Sequence, residues 1–352
     1  MQDFTEIVTY PNYHQHLVKF LDNYTIDFVH LLPERAHTIK LKPRNERICR
    51  YCNRAVPEVT FKKTAHVIPS LLGNRYLICD YECDDCNSLF SRFESSFAAY
   101  IGLMRTVTSL SRGNRVPKHN VSKSPVKTDT IKLIEQNKNA VCFTFKDEPE
   151  KIDKGLIIPF QKEPYTPIHV YKILLKMALS LMPHEYVEKY RHLMRFIIND
   201  ENSKLFKPFA TQVHVLNHNC IADPHFYLFK KLRHEDDFPT HIFMCCYEDS
   251  IYQFPVPANI DDERIYQDGK QINLSFCPPI FFTPPISNGA TSGGIKDFSS
   301  YEVVEELGKL ILHTNFDDTL NEQNPLKNTE VDEYLRFTNG SKLIITKGAK
   351  KE

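Results

Sequence analysis

Cys49-Arg50-Tyr51-Cys52 and Cys83-Asp84-Asp85-Cys86 form two Cys-x-x-Cys pairs, with Lys63-Thr64-Ala65-His66-Val67-Ile68-Pro69 between them. Four thiolates set out in this way can close a tetrahedron around Zn2+. Cys49, Cys52, Cys83 and Cys86 are therefore the expected ligands of a structural zinc. The pairs are separated by 30 residues, 53–82, whereas a plain zinc ribbon leaves a gap of about 15–20. A hairpin inserted between two zinc knuckles accounts for the longer gap. His66 stands inside the insert, and Asn87 follows the last Cys directly. An imidazole titrates near neutral pH and suits proton transfer. An amide oxygen suits a hard, oxygen-preferring cation. The plain alternative for His66 is a core or zinc-adjacent histidine.

Lys63 to Pro69, then Leu72-Gly73-Asn74, then Cys83-Asp84-Asp85-Cys86-Asn87 resembles the Cys-tetrad zinc branch of the HNH endonuclease family, over roughly residues 47–105. The resemblance implies a ββα-metal unit in which a histidine ends a strand and a helix follows the second Cys pair. It implies that His66 is the general base and Asn87 a ligand of a catalytic Mg2+ or Mn2+. The substrate it implies is DNA, cut by phosphodiester hydrolysis. Many members carry Asp, Glu or His just before the catalytic histidine as a metal ligand, and here Ala65 stands in that place. Either another oxygen replaces it or the enzyme is impaired. Asp80, 14 residues after His66 and near the family's central Asn, ranks first, with Glu82 beside it. Glu94 lies seven residues beyond Asn87, about 10 Å along a helix axis. Surface charge is the plain alternative for all three acids.

The elements that must position these residues follow from periodicity. Leu89, Phe90, Phe93, Phe97, Tyr100, Ile101 and Met104 recur at spacings of three and four, which predicts a helix over 87–105. Val59 to Val67 reads as extended. Leu17, Phe20, Leu21, Tyr24 and Phe28 predict a helix from Tyr13 to Leu32. Beyond residue 131 the pattern is mixed. Amphipathic helices are expected at Ile168–Leu181 and Glu185–Ile198, and a further helix at Glu302–His313. Strands are expected at 140–145, 155–160, 212–216, 241–247, 251–254, 272–276 and 341–346. The Gly-rich 288–294 reads as a surface loop.

The expected fold class is α+β: a small zinc-stapled ββα-metal domain followed by a larger mixed α+β domain. The expected division is an N-terminal helical extension (1–44), the nuclease domain (45–107), a basic linker (108–130) and a targeting, sensor or regulatory domain (131–352). The 352 residues suffice for two domains, and the formal net charge is zero, so the chain as a whole is no polyelectrolyte. Residues 1–130 nevertheless hold 18 Lys and Arg against 13 Asp and Glu, making this third the likelier contact for a polyanion. The sequence shows no signal-peptide pattern and no apolar run of membrane-spanning length. Low Cys density outside the two pairs fits a reducing cytoplasm. A nuclease unit joined to a sensor or specificity domain resembles bacterial restriction and anti-phage effectors in architecture. Cutting both strands with one site per chain points to a homodimer. The rival readings are a non-catalytic zinc-knuckle protein that binds nucleic acid or protein, and a nuclease subunit silent until an activating nucleotide or partner protein binds.

Overall fold

The computed structural model describes residues 10–31, 41–106, 116–133, 138–146, 150–152, 155–199, 206–216, 221–233, 237–248, 250–257, 259–265, 277–278, 290–313, 331–336 and 342–347. The fold is α+β, as expected. The chain divides into two compact units, residues 1–95 with 166–302 and residues 96–165 with 303–352. No helix among the described residues is long and apolar enough to cross a membrane.

The first unit holds a six-stranded antiparallel sheet in the order β1-β9-β10-β11-β8-β12. Its strands are β1 (Tyr24–Leu31), β8 (Phe209–Leu216), β9 (Ile221–Lys231), β10 (His241–Glu248), β11 (Ser250–Pro255) and β12 (Ala290–Asp297). Helix α1 (Tyr10–Leu21) precedes β1, and Phe20 at its end stacks on Tyr24 and meets Phe229 of β9 edge-on. The small hairpin of β2 (Ala65–His66) and β3 (Ile78–Cys79) also belongs here, with most of α2 (Asp84–Ile101). Two further helices complete the unit, α3 (Pro167–Leu181) and α4 (Arg191–Ile198).

Every residue of α3 except His169 is buried. On the sheet side its Tyr171 ring lies 5.5 Å from Phe254 of β11. Its polar stripe, Lys172, Lys176 and Ser180, repeats every four residues and is buried as well. Amphipathic spacing predicts a solvated face here. The structure instead turns that face onto protein, where each polar group finds a partner: the Lys172 ammonium donates to the Asn199 carbonyl at 2.6 Å, and the Tyr51 hydroxyl lies 2.5 Å from Ser180 Oγ.

The second unit holds a four-stranded sheet, β14-β15-β5-β4, and a three-stranded sheet, β13-β7-β6. The ranges are β4 Val126–Leu133, β5 Lys138–Phe145, β6 Glu150–Ile152, β7 Gly155–Gln161, β13 Leu307–His313, β14 Val331–Arg336 and β15 Lys342–Lys347. Its core gathers Leu103, Val116, Val126, Val141, Phe143, Phe145, Ile158, Phe160 and Leu310. Of the basic stretch 108–130, residues 116–130 are described; Val116 and Val126 lie in that core.

Four expectations are corrected. The helix expected over Tyr13–Leu32 stops at Leu21, and Tyr24–Leu31 is a strand paired along its length with β9; apolar spacing over a short run does not separate the two, and the sheet partner decides. Glu302–His313 contains no helix: residues 307–313 pair with 155–161 as a strand. Gly308 faces the Phe160 ring so closely that a Cβ would come within 2.4 Å of it. The Gly-rich 288–294 becomes a strand from Ala290 onward, because Gly293 lets β12 approach the β8 backbone at Gln212 and Val213. The helix expected over Glu185–Ile198 is broken into a turn at His184–Val187, a 3-10 turn and α4. The strand expected at 272–276 lies outside the described residues.

Candidate active site

Two short turns build the sulfur site. In the first, the Cys49 amide donates to the Arg54 carbonyl at 2.9 Å, and the Asn53 amide to the Cys49 carbonyl at 2.9 Å. Asn53 holds the left-handed conformation (φ 58°) that closes so tight a knuckle. In the second, Cys83 and Cys86 sit at the first turn of α2, with the Asn87 amide donating to the Cys83 carbonyl. All four sulfurs lie within 4.8 Å of one another. Cys49 Sγ is 3.7 Å from Cys86 Sγ, and Cys52 Sγ is 3.8 Å from Cys83 Sγ.

These separations are too long for disulfides and fit one zinc ion, since Zn–S bonds of about 2.3 Å in a tetrahedron set sulfurs about 3.8 Å apart. Cys49, Cys83 and Cys86 are buried and Cys52 half-buried. Crowding makes the thiols share protons unequally. Cys49 and Cys86 donate to Cys83, which holds its thiol well below the ordinary value while their own are pushed up. Zinc binding would displace the remaining protons, since the metal takes thiolates.

The insert is tied to α2 by its own backbone. Asp84 accepts the amides of Lys62 (2.9 Å) and Lys63 (2.8 Å) and the Thr60 hydroxyl. Burial works against the charged form, but these hydrogen bonds hold the Asp84 carboxyl below its ordinary range. The Lys63 ammonium reaches Ser88 Oγ at 2.9 Å, so the chain entering β2 runs along the first turns of α2. Only Ala65 and His66 of the expected extended run 59–67 are regular strand, paired with Cys79 and Ile78.

Sequence reasoning missed Asn74 as a site residue. Fully buried, it donates to the carbonyls of Ile68 (2.7 Å) and Leu77 (3.0 Å) and accepts the amides of Tyr76 and Leu77. One side chain thus fixes the loop between β2 and β3. The signal was present as Gly73-Asn74, where Gly73 takes φ 91°.

His66 is half-buried, and its Nδ1 is buried with no hydrogen-bond partner. Burial first, then the Lys176 charge, holds its pKa below the ordinary histidine value. The ring is therefore neutral at pH 7, as a general base must be. Asn87 is half-buried on the first turn of α2.

The three acids have different surroundings. Asp80 Oδ2 accepts the Lys42 amide at 2.7 Å. Glu82 is no surface charge: its side chain is 1% exposed and pairs at 3.1 Å with Lys176, also 1% exposed. Burial raises its pKa and Lys176 opposes the rise. Glu94 is half-buried, also raised first by burial, and makes no hydrogen bond. Because α2 is continuous from Asp84 to Ile101, Glu94 stays about 10 Å along the axis from Asn87.

The zinc segment is also fastened to α3. Arg50 Nη1 donates to the carbonyls of Leu179 (2.7 Å), Ser180 (3.3 Å) and Met182 (3.1 Å), capping the end of that helix, and the guanidinium lies 3.8 Å over the Tyr81 ring. The Tyr81 hydroxyl donates to the Ser180 carbonyl at 2.7 Å. Arg50→Ala removes all three bonds; the Ser180 carbonyl keeps the Tyr81 hydroxyl, while those of Leu179 and Met182 lose the guanidinium. The expected cost is on the order of 3 kcal/mol, read as a lower urea midpoint in zinc-loaded protein; an unchanged midpoint would mean the cap contributes nothing.

Residues 49–98 match the family described as HNH endonuclease. The match spans the tetrad, His66, Asn87 and Glu94. No curated protein and no solved structure matches the chain.

Proposed function

We propose that this chain, with an HNH endonuclease segment at 49–98, is a metal-dependent DNA endonuclease whose remaining residues select or control the target. The observation that carries the reading is the convergence of four sulfurs in a segment where a short strand ends in His66 and Asn87 lies on the first turn of the helix. In this reading zinc staples the scaffold, and a Mg2+- or Mn2+-type cation does the electrostatic work. That cation, when bound, would act as Lewis acid toward the scissile phosphate.

His66 takes the proton from the water that attacks phosphorus, and its neutral ring at pH 7 supports that role. Asn87 offers an amide oxygen to the cation. Glu82 is committed to Lys176, Asp80 to the Lys42 amide, and Glu94 lies a helical turn and more away. Phosphate oxygens of the DNA are then the natural complement to Asn87, since Mg2+ commonly completes its shell with substrate phosphates and water. Exposed Lys62 and Arg92 supply positive charge toward the DNA backbone.

The test is conversion of supercoiled plasmid to nicked or linear form with Mg2+ or Mn2+ and with EDTA, using the whole chain. Loss of turnover in EDTA supports the reading; DNA binding with no turnover under any metal favours a zinc-knuckle binding protein. The ties of Arg50, Tyr81 and Glu82 to α3 support control by the rest of the chain. A restriction or anti-phage role, an activating nucleotide or partner, and a homodimer on DNA belong to the same proposal; fewer plaques on cells carrying the parent than on cells carrying His66→Ala would support the first.

The pH dependence follows from His66. Its pKa lies below the ordinary value of about 6.5, so the base is fully available above that value. Cleavage should be level there and fall as pH drops through the lowered pKa. Single-turnover rates, with zinc content followed in parallel, check this; an acid limb above pH 7 would contradict it.

A further inference from the structure

We propose that Lys176, which lies outside the matched segment, is a positioning residue for the nuclease site: its ammonium fixes the backbone that carries His66 from the buried face of α3. This deepens the nuclease reading and rests on it. Two backbone carbonyls accept from this ammonium, that of His66 and that of Val67 at 3.3 Å, and the Glu82 carboxylate forms an ion pair with it at 3.1 Å.

Stability alone does not explain the arrangement. Burying an ion pair is costly, and a well-packed apolar pair is often as stable or more so. The arrangement does explain how a two-residue strand holds a side chain still. β2 pairs with β3 through Ala65 and His66 only, too little to hold the imidazole in place by itself. α3 is buried over nearly its whole length, and Lys176 transfers that rigidity to the two peptide groups at and after His66. A base must be held closely to its productive geometry to work.

The charged groups packed around Lys176 come from every neighbouring element. Glu82 precedes Cys83, Glu94 lies on α2, and Lys172 lies one turn earlier on α3 with its ammonium on the Asn199 carbonyl. The Phe90 ring of α2 lies 5.8 Å from the Lys176 ammonium. The sequence signal was a lysine stripe that reads as a solvated helix face.

The test uses two variants of the full, zinc-loaded chain. Lys176→Met removes the ammonium and leaves Glu82 buried and unpaired. Lys176→Met with Glu82→Gln removes both charges and keeps the fold accessible if the first variant is unstable. The expected result for the double variant is one zinc per chain and a single-turnover cleavage rate at least about tenfold below the parent. The DNA concentration for half-maximal rate should be unchanged, and amide exchange should be faster at His66 and Val67. A double variant that cleaves within about twofold of the parent, with amide protection intact, overturns the proposal. So does loss of zinc from both variants, which would make Lys176 a folding residue. Amide exchange needs no turnover: if the parent does not cut DNA yet exchange at His66 and Val67 accelerates, the positioning role stands and the nuclease reading falls.

Discussion

His66→Ala is expected to abolish metal-dependent cleavage of DNA while leaving fold and zinc content unchanged. A positioned general base contributes on the order of 10²–10⁴ in rate, so residual nicking should fall by at least about a hundredfold. The fold should tolerate the change because the ring makes no hydrogen bond and its Nδ1 is already buried without a partner. Truncation therefore orphans nothing. What locates the strand is the His66 carbonyl, held by Lys176, and alanine keeps that carbonyl. Zinc should stay because the four sulfurs depend on turns at 49–54 and 83–87 rather than on the imidazole. The measurement is plasmid nicking beside metal analysis of the same preparation. Equal cleavage by variant and parent would remove His66 from the chemistry.

Zinc removal should be the largest structural effect. Between Arg44 and Cys79 the regular structure amounts to two 3-10 turns and two two-residue strands, which cannot persist by their own pairing. Structural zinc in comparable small units binds with an apparent free energy of about 10–16 kcal/mol, and that binding is folding free energy. A strong chelator should release one zinc per chain and open residues near 41–83 to protease. Cys83→Ser should lose the metal and lower the thermal midpoint by at least about 10 °C. Cys83 is the sharper choice than Cys52 because it is fully buried and stands at the start of α2, so its loss frees both the hairpin and the helix end. A chain that keeps its midpoint without zinc would show that apolar packing alone holds the segment.

The two experiments also separate scaffold from chemistry. Loss of zinc should remove cleavage and fold together, whereas loss of the imidazole should remove cleavage alone. A variant that kept cleavage after losing zinc would dissolve the link between the tetrad and the site.

The amino-acid sequence by itself determined the sulfur tetrad and the helix that follows the second Cys pair, and it offered His66 and Asn87 as the proposed site residues beside them. Each rests on residues close together in the chain, where spacing and side-chain chemistry leave few alternatives. Asn74 was half visible, as an amide after a glycine, but its four hydrogen bonds depend on how the loop closes. Tertiary structure alone decided that Tyr24–Leu31 and Leu307–His313 are strands, because their partners lie about 200 and 150 residues away in sequence. It alone decided that Lys172, Lys176 and Ser180 face protein rather than water, and that Glu82 is buried against Lys176. The physical reason is common to all of these. Whether a polar stripe or a carboxylate meets solvent or a partner is set by what packs against it, and for α3 that is the zinc segment about 100 residues earlier in the chain.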